Sequence, residues 1–195
     1  SGGVLCLAGG LMLTDRDIQQ LTQRNKTSWL NYVSKYGLEP WGSGLYTAPL
    51  LGLLYLHGKI TKNNRIESVA LLATQSAVIS AGVVQLPKYF FQRHRPFQNI
   101  PSNPFLFDGP WGTYKYNSMP SGHTTLAFAA ASMISMEYHD KKWIGVIAYT
   151  LATLTGISRI YDNKHWASDV LLGAAIGTGV SRIIYMKSRK KKLSS

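Results

Sequence analysis

The sequence predicts an all-α protein, a bundle of about six helices with one long aromatic-rich loop. Two observations favour this fold class. Apolar segments rich in Ala, Leu, Ile and Gly recur without the alternation typical of β-strands, and they cover residues 45–57, 66–87, 124–138, 143–157 and 168–186. The segment 97–119 contrasts with them, because prolines, glycines and aromatic residues interrupt any helical pattern there.

The first helix is predicted to run from residue 14 to about residue 36, where apolar side chains recur at helical intervals and Thr14 is suited to be the N-cap. Residues 1–13 are apolar and Gly-rich, so we interpret them as the remnant of a signal or anchoring segment, or as a mobile end. Residues 14–186 then form a single domain, and residues 187–195 form a basic tail.

Composition excludes two classes of protein. A chain of 195 residues is the size of one domain, and a hydrophobic content of 45% with only 15% charged residues excludes an intrinsically disordered chain. Cys6 is the only cysteine, which excludes a disulfide-stapled scaffold.

The chain is strongly basic, with 21 Lys and Arg residues against 9 Asp and Glu residues and a formal net charge of +12. This balance favours an anionic partner, such as nucleic acid, a lipid surface or a phosphorylated substrate. The sequence contains no signature of a nucleic-acid-binding domain, so we expect no nucleic acid. A lipid surface or a phosphorylated substrate is then the expected partner.

Whether the bundle crosses a membrane stays open at this point. Segment 66–87 is long enough to cross about 30 Å of hydrocarbon, whereas segments 124–138 and 143–157 each reach only about 22 Å. If the last four segments alternate in direction, ten positive charges collect at one end of the bundle, as the positive-inside rule requires. The same alternation brings residues 88–96, 120–123 and 158–169 together at the opposite end.

The first of these three segments carries Lys88 and Arg95, followed by Pro96. A spacing of seven places the two cations on one helical face, and the proline places Arg95 at the helix exit. Two fixed cations on one face are suited to an oxyanion, although a solvated basic helix end is the alternative.

The second segment, Pro120-Ser121-Gly122-His123, opens a predicted helix. Ser121 is suited to cap this helix, and Gly122 lets an oxygen approach the backbone closely. The free N–H groups and the helix dipole favour an anion there, and His123 in the first turn is placed to protonate a leaving group. The alternative is an ordinary capped helix with an incidental histidine.

The third segment carries Arg159, His165 and Asp169. His165 and Asp169 are four residues apart, so the carboxylate can accept a hydrogen bond from Nδ1 and leave Nε2 as a nucleophile or base. A proton donor, a nucleophile and an anion cradle are the parts of metal-independent phosphoryl transfer through a phosphohistidine. We therefore expect neither a metal ion nor an organic cofactor.

These three segments resemble the tripartite signature of the type 2 phosphatidic acid phosphatase (PAP2) superfamily, with every signature position matched and in the right order. The resemblance implies that His165 attacks phosphorus, that Asp169 orients it and that His123 protonates the leaving group. It also implies that the phosphate oxygens are held by Lys88, Arg95, Arg159 and the backbone at Ser121 and Gly122.

The superfamily includes membrane lipid phosphatases that act on phosphatidate, phosphatidylglycerophosphate, undecaprenyl pyrophosphate or lipid A. It also includes soluble periplasmic acid phosphatases and vanadium haloperoxidases, and the latter are usually longer chains. By this resemblance we expect a membrane-associated phosphatase of the cell envelope, with its active site facing the periplasm. Its expected partner is a phosphorylated lipid or a small phosphate ester, and the bond that it hydrolyses is that of a monoester or a diphosphate. A soluble periplasmic acid phosphatase of broad specificity is the alternative.

Two features fall outside the signature. The 97–119 loop carries aromatic residues that are interpreted either as a lip for acyl or prenyl chains or as self-packing of the loop: Phe97, Phe105, Phe107, Trp111, Tyr114 and Tyr116. Arg93, His94 and Lys164 are additional cations beside the predicted cradle. We interpret them as solvated charges, with binding of a second phosphate as the alternative.

Overall fold

A computed structural model of the chain, which describes residues 2–112 and 117–194, confirms the all-α prediction. Six helices have 14 or more residues: α1 Gly2–Arg24, α4 Thr47–Ile60, α5 Asn64–Val83, α7 Gly122–Glu137, α8 Lys142–Tyr161 and α9 Ala167–Ser194. The shorter helices are α2 Ser28–Tyr32, α3 Glu39–Ser43 and α6 Gln85–Phe91, and a π-helical segment spans Val33–Leu38.

The N-terminal part of the chain differs from the prediction. Helix α1 is continuous from Gly2 to Arg24, so Thr14 lies inside it and the predicted N-cap was wrong. A second helix begins only after Thr27, whose side chain accepts a hydrogen bond from the backbone N–H of Leu30. The predicted basic tail is also helical, because α9 continues to Ser194.

Helix α7 is the centre of the bundle and packs against α5, α8 and α9. It is lined with small buried residues such as Ala129, which let the neighbouring helices approach closely. On α9, a methyl group at Gly173 would stand 2.5 Å from the carbonyl oxygen of Ser121, and one at Gly177 would stand 2.3 Å from that of Thr125. The close contact between α7 and α9 therefore requires glycine at both positions.

Replacing Gly177 with alanine is expected to destabilise the protein by about 2 kcal/mol, because the added methyl group has no space beside the backbone of α7. Gly179 on the same helix is the matched control, since a methyl group there would meet nothing within 4 Å. Gly179→Ala should be neutral or stabilise the helix by up to about 1 kcal/mol. Thermal unfolding of the two purified variants checks the prediction, and equal melting temperatures would contradict it.

Three helical stretches of the described chain are long and apolar enough to cross a membrane: Asn64–Phe91, Lys142–Tyr161 and Ala167–Lys190. Their outward faces are apolar, as Val78, Val146 and Ile183 illustrate, each with more than half of its surface exposed. Such faces are stable against lipid tails and costly against water, so the protein is membrane-associated.

The ends of the bundle differ in chemistry. At one end, Arg65, Asp140 and Arg189 line a polar cavity of about 350 Å³, so the N-terminus of α5 and the C-terminal part of α9 lie side by side. Arg65 forms an ion pair with Asp140 across this end. The three signature segments occupy the other end, as the alternating topology predicts.

Candidate active site

The three signature segments meet in space although they lie far apart in the chain. Ser118, just before the second segment, donates its backbone N–H to the carbonyl oxygen of Arg93 in the first (3.0 Å). Ser121 donates its backbone N–H to the carbonyl oxygen of Asp169 in the third (3.0 Å). The structure therefore brings the predicted residues into one site, while their chemical roles stay predictions.

His165 lies in the loop between α8 and α9, with 4% of its side chain exposed. Its Nδ1 is 2.7 Å from the carbonyl oxygen of Ser118. A carbonyl oxygen only accepts hydrogen bonds, so Nδ1 carries the proton and Nε2 keeps the unshared electron pair. The backbone of Ser118 thus fixes the tautomer that a nucleophilic histidine needs.

Asp169 acts on His165 less directly than the spacing predicted. The distance from Asp169 Oδ2 to His165 Nδ1 is 3.8 Å, which is too long for a hydrogen bond, so that part of the prediction was wrong. Oδ2 instead accepts hydrogen bonds from the hydroxyl of Ser118 (2.5 Å) and the backbone N–H of Trp166 (3.0 Å). Asp169 therefore holds Ser118 and Trp166, and these two position the imidazole.

Arg93 is not the solvated charge that the sequence predicted, because its side chain is fully buried. Its Nη1 donates to Asp169 Oδ1 (2.7 Å), and its Nη2 donates to Asp15 Oδ2 (2.8 Å). The guanidinium also lies between the rings of Phe107 and Trp166, 5.5 and 5.4 Å from their centroids. Sequence reasoning missed Asp15, which lies on α1, 78 positions from Arg93, in no recognisable motif.

The first two predicted cradle cations, Lys88 and Arg95, converge on Asn117. Lys88 Nζ donates to the carbonyl oxygen of Asn117 (2.5 Å), and Arg95 Nη2 donates to the side-chain oxygen of the same residue (2.8 Å). Their predicted placement on one helical face was wrong, because α6 ends at Phe91 and Gln92 turns the chain with a φ of 43°. Arg95 therefore reaches the site from a non-helical segment.

The third cation, Arg159, lies in the last turn of α8 and is 3% exposed. Its Nη2 donates to Asp162 Oδ2 (2.5 Å), and its Nη1 is 3.3 Å from Glu39 Oε1. Its charge and those of Lys88 and Arg95 all lower the pKa of His123, so the three cations lie close to the volume beside this ring.

The N-terminus of α7 points into the same volume. Ser121 is the N-cap, and its hydroxyl oxygen accepts a hydrogen bond from Thr124 Oγ1 (2.9 Å). The predicted use of its backbone N–H for phosphate was wrong, because that N–H is bonded to Asp169. The N–H groups of Gly122 and His123 lie in the first turn, where a helix supplies no acceptor, so they can bind an anion.

His123 has a buried Nε2 without a hydrogen-bond partner among the residues that the structure describes. A buried polar nitrogen of this kind is costly unless a ligand satisfies it. A methyl group at Gly42 on α3 would stand 2.7 Å from His123 Cβ, so this glycine lets α3 close over the histidine. An oxygen of a bound ligand within hydrogen-bond distance would satisfy this nitrogen.

Glu39 at the start of α3 is a site residue that the sequence analysis missed. Its Oε1 is 3.7 Å from His123 Nε2 and 3.3 Å from Arg159 Nη1. No signature position marks it, and a lone glutamate before Pro40 gives no signal of its own.

Both histidines are uncharged near pH 7. Burial lowers the pKa of His165 to about 4, although the neighbouring Asp169 opposes this shift. Burial, together with the charge of Arg159, lowers the pKa of His123 to about 4, although the carboxylate of Glu39 opposes this shift. An uncharged His165 is ready to act as a nucleophile, whereas His123 needs a bound anion to gain its proton near neutral pH.

The aromatic loop lies beside this site. Phe97, Phe105 and Trp111 are 49%, 54% and 94% exposed, so they do not form a packed cluster within the loop. Phe107 contacts Phe91 edge-on, with ring centroids 6.4 Å apart. Tyr114 and Tyr116 lie outside the described residues.

Within the described chain, no group of three or more His, Cys, Asp or Glu residues is suited to hold a metal ion.

Comparison with known proteins agrees with this geometry. The sequence profile of the PAP2 superfamily matches residues 69–193, which is more than half of the chain and includes all three signature segments. The chain belongs to the PAP2 superfamily. Among PAP2 members of known structure, the transmembrane phosphatidylglycerolphosphate phosphatase of Bacillus subtilis superposes with a TM-score of 0.73 at 22% identity, covering 96% of this chain and 92% of that one.

Two further relatives are similar to the chain. The Aquifex aeolicus protein LpxE superposes with a TM-score of 0.62 at 23% identity, covering 87% of this chain and 93% of that one. A lipid A 1-phosphatase of Porphyromonas gingivalis is 44% identical over 79 residues, which is 40% of this chain and 14% of that protein. The chain thus spans a small part of that relative's length.

Proposed function

We propose that the protein is a metal-independent phosphatase that hydrolyses a phosphorylated membrane lipid through a phosphohistidine on His165. One observation carries the proposal. The carbonyl of Ser118 holds the proton on Nδ1 of His165, so Nε2 keeps its electron pair, and the charges of Lys88 and Arg95 lie near this ring. The likeness to a phosphatidylglycerolphosphate phosphatase and to a lipid A 1-phosphatase supports a lipid substrate.

In the proposed reaction, His165 Nε2 forms a bond to phosphorus while the bond to the leaving oxygen breaks. The leaving oxygen takes the proton from His123 Nε2, whose pKa the bound phosphate dianion raises. Lys88, Arg95, Arg159 and the first N–H groups of α7 stabilise the charge on the transferring group. Water then attacks phosphorus and gives its proton to His123, and His165 is released unchanged.

An apolar groove supports a lipid as the leaving group. The groove has a volume of about 410 Å³ and lies between α3, α4, α7 and α8. It runs along α8 from Ile144 to Thr155, a distance of about 17 Å. Thr155 and Trp41 line the end of the groove that is nearest to the site. At this end Gly42 packs against Thr155 and against His123, the predicted proton donor to the leaving group.

We also propose that the active site faces the extracytoplasmic side. The end opposite the site is basic: Lys59 is in the last turn of α4, Lys62 follows it, and Arg65 is in the first turn of α5. Lys141 and Lys142 lie at the start of α8, and Lys187, Arg189 and Lys190 lie in the C-terminal part of α9. Loops rich in Lys and Arg stay in the cytoplasm in membrane proteins, which supports this orientation.

Filling the groove tests the lipid part of the proposal. Ala148 lines the groove, so Ala148→Phe should lower kcat/KM about tenfold for a long-chain lipid phosphate, the loss expected when two methylene groups are excluded from burial. Hydrolysis of a short, water-soluble phosphate ester should change much less. Phosphate release from both substrates in detergent micelles measures the ratio.

The matched control is Val146→Phe, because Val146 lies on the same helix, is 65% exposed and does not line the groove. This variant should keep the wild-type ratio of the two activities. If Ala148→Phe and Val146→Phe behave alike, the groove does not bind the lipid chain. If the wild type hydrolyses only the soluble ester, the protein is not a lipid phosphatase.

A further inference from the structure

Glu39 places a negative charge on the side of the site where the leaving group departs. In the proposed reaction, the leaving oxygen must accept a proton from His123 Nε2 and so lies within hydrogen-bond distance of it. Glu39 Oε1 is 3.7 Å from that same nitrogen. The leaving oxygen and the carboxylate are therefore within about 7 Å of each other, less than the screening length of about 8 Å in physiological salt.

This carboxylate affects the two possible substrate classes in opposite ways. With a phosphate monoester, the leaving group is an uncharged alcohol once it is protonated, and Glu39 helps His123 to hold the proton that it donates. With a diphosphate, the leaving group is itself a phosphate ester with a negative charge beside the leaving oxygen. Glu39 repels that charge.

Of the three additional cations that could neutralise a second phosphate, two are bound to other polar groups and the third lies over an aromatic ring. Arg93 is fully buried between Asp15 and Asp169. His94 binds Asp108 through Nε2 (3.0 Å) and Asn99 through Nδ1 (2.8 Å). Lys164 is exposed and lies over the ring of Phe97, 4.9 Å from its centroid.

Arg159, the cation nearest to Glu39, is required for the transferring phosphate, and Asp162 already shares its charge. In the described part of the chain, Arg159 is the only permanently charged cation that forms an ion pair with Glu39, so the leaving-group side of the site carries a carboxylate with no second such cation bound to it.

From this geometry we propose that Glu39 is a specificity-determining residue that selects a lipid phosphate monoester against a lipid diphosphate. The inference rests on the proposed phosphatase function and narrows its substrate class. It requires that the charge of Glu39, rather than its size, sets the preference, so an isosteric neutral variant isolates the effect.

The test compares two substrates with the same prenyl chain, one a monophosphate and one a diphosphate, in detergent micelles. The wild type should prefer the monophosphate by about tenfold or more in kcat/KM. Glu39→Gln should reduce this preference about tenfold, through faster hydrolysis of the diphosphate and slower hydrolysis of the monophosphate. Thermal unfolding of the variant shows that its fold is intact.

Asp162→Asn is the matched control, because Asp162 binds the other terminal nitrogen of Arg159 and has no ion pair with His123. It should leave the ratio of the two activities close to that of the wild type. An equal shift in Asp162→Asn and Glu39→Gln would mean that freeing Arg159 causes the effect, and this would overturn the inference.

A wild type that hydrolyses the diphosphate as well as the monophosphate would also overturn it, and the phosphatase function would stand. A wild type that hydrolyses neither substrate, nor any soluble phosphate ester, would refute the phosphatase function itself and the inference with it.

Discussion

Alanine in place of His165 is expected to reduce phosphate release by at least about 10⁴-fold, because the reaction then has no nucleophile to form the covalent intermediate. The site prepares the electron pair of this imidazole by fixing the proton on Nδ1 through the carbonyl of Ser118. The measurement is the single-turnover rate of phosphate release from a lipid phosphate in micelles.

The matched control for this variant is His139→Ala. His139 lies at the opposite end of the bundle, where its Nδ1 contacts the carbonyl oxygen of Met136, and its loss should leave the rate unchanged. A His165→Ala protein that folds, as judged by its melting temperature, and keeps more than a small fraction of the wild-type rate would contradict the covalent mechanism.

Arg93→Met is expected to cost about 3 to 5 kcal/mol of stability, because it leaves two buried carboxylates, those of Asp15 and Asp169, without their cation. Methionine keeps most of the apolar stem, so the loss reports the missing charge. Activity should fall as well, because Asp169 then no longer holds Ser118 and Trp166 firmly behind the nucleophile.

Thermal and denaturant unfolding of the detergent-solubilised protein measures this effect. Arg16→Met is the matched control, since Arg16 is an exposed arginine next to Asp15 on α1 and should change stability little. The double variant Arg93→Met, Asp15→Asn should recover part of the loss, because it removes one of the unpaired charges. A melting temperature of Arg93→Met equal to that of Arg16→Met would show that the buried network does not stabilise the fold.

Much of the fold follows from local patterns in the sequence. The apolar segments become helices because each is long and shows no strand-like alternation, and α5, α8 and α9 pack against α7. The predicted alternation of helix direction places the three signature segments at one end of the bundle, where the structure has them. Thr14 shows the limit of local reasoning: a good capping residue lies inside α1, a helix that is held against α9 by tertiary contacts.

The parts of the site that sequence reasoning missed depend on contacts between distant residues. The partner of His165 is a backbone carbonyl, at Ser118, which every residue type provides and no motif reveals. The charge of Arg93 is neutralised by Asp15 from the first helix, and its burial is invisible without that contact. Glu39 becomes a site residue only because Gly42 lets α3 close over His123.

The central claim, a covalent phosphohistidine on His165, is tested most directly by trapping the intermediate. Protein incubated briefly with a radiolabelled lipid phosphate is denatured under alkaline conditions, which preserve phosphohistidine, and the labelled peptide is identified by mass spectrometry. The mechanism predicts label on His165, lost in His165→Ala. Label on another residue, or single-turnover phosphate release with no labelled protein at any time point, would contradict it.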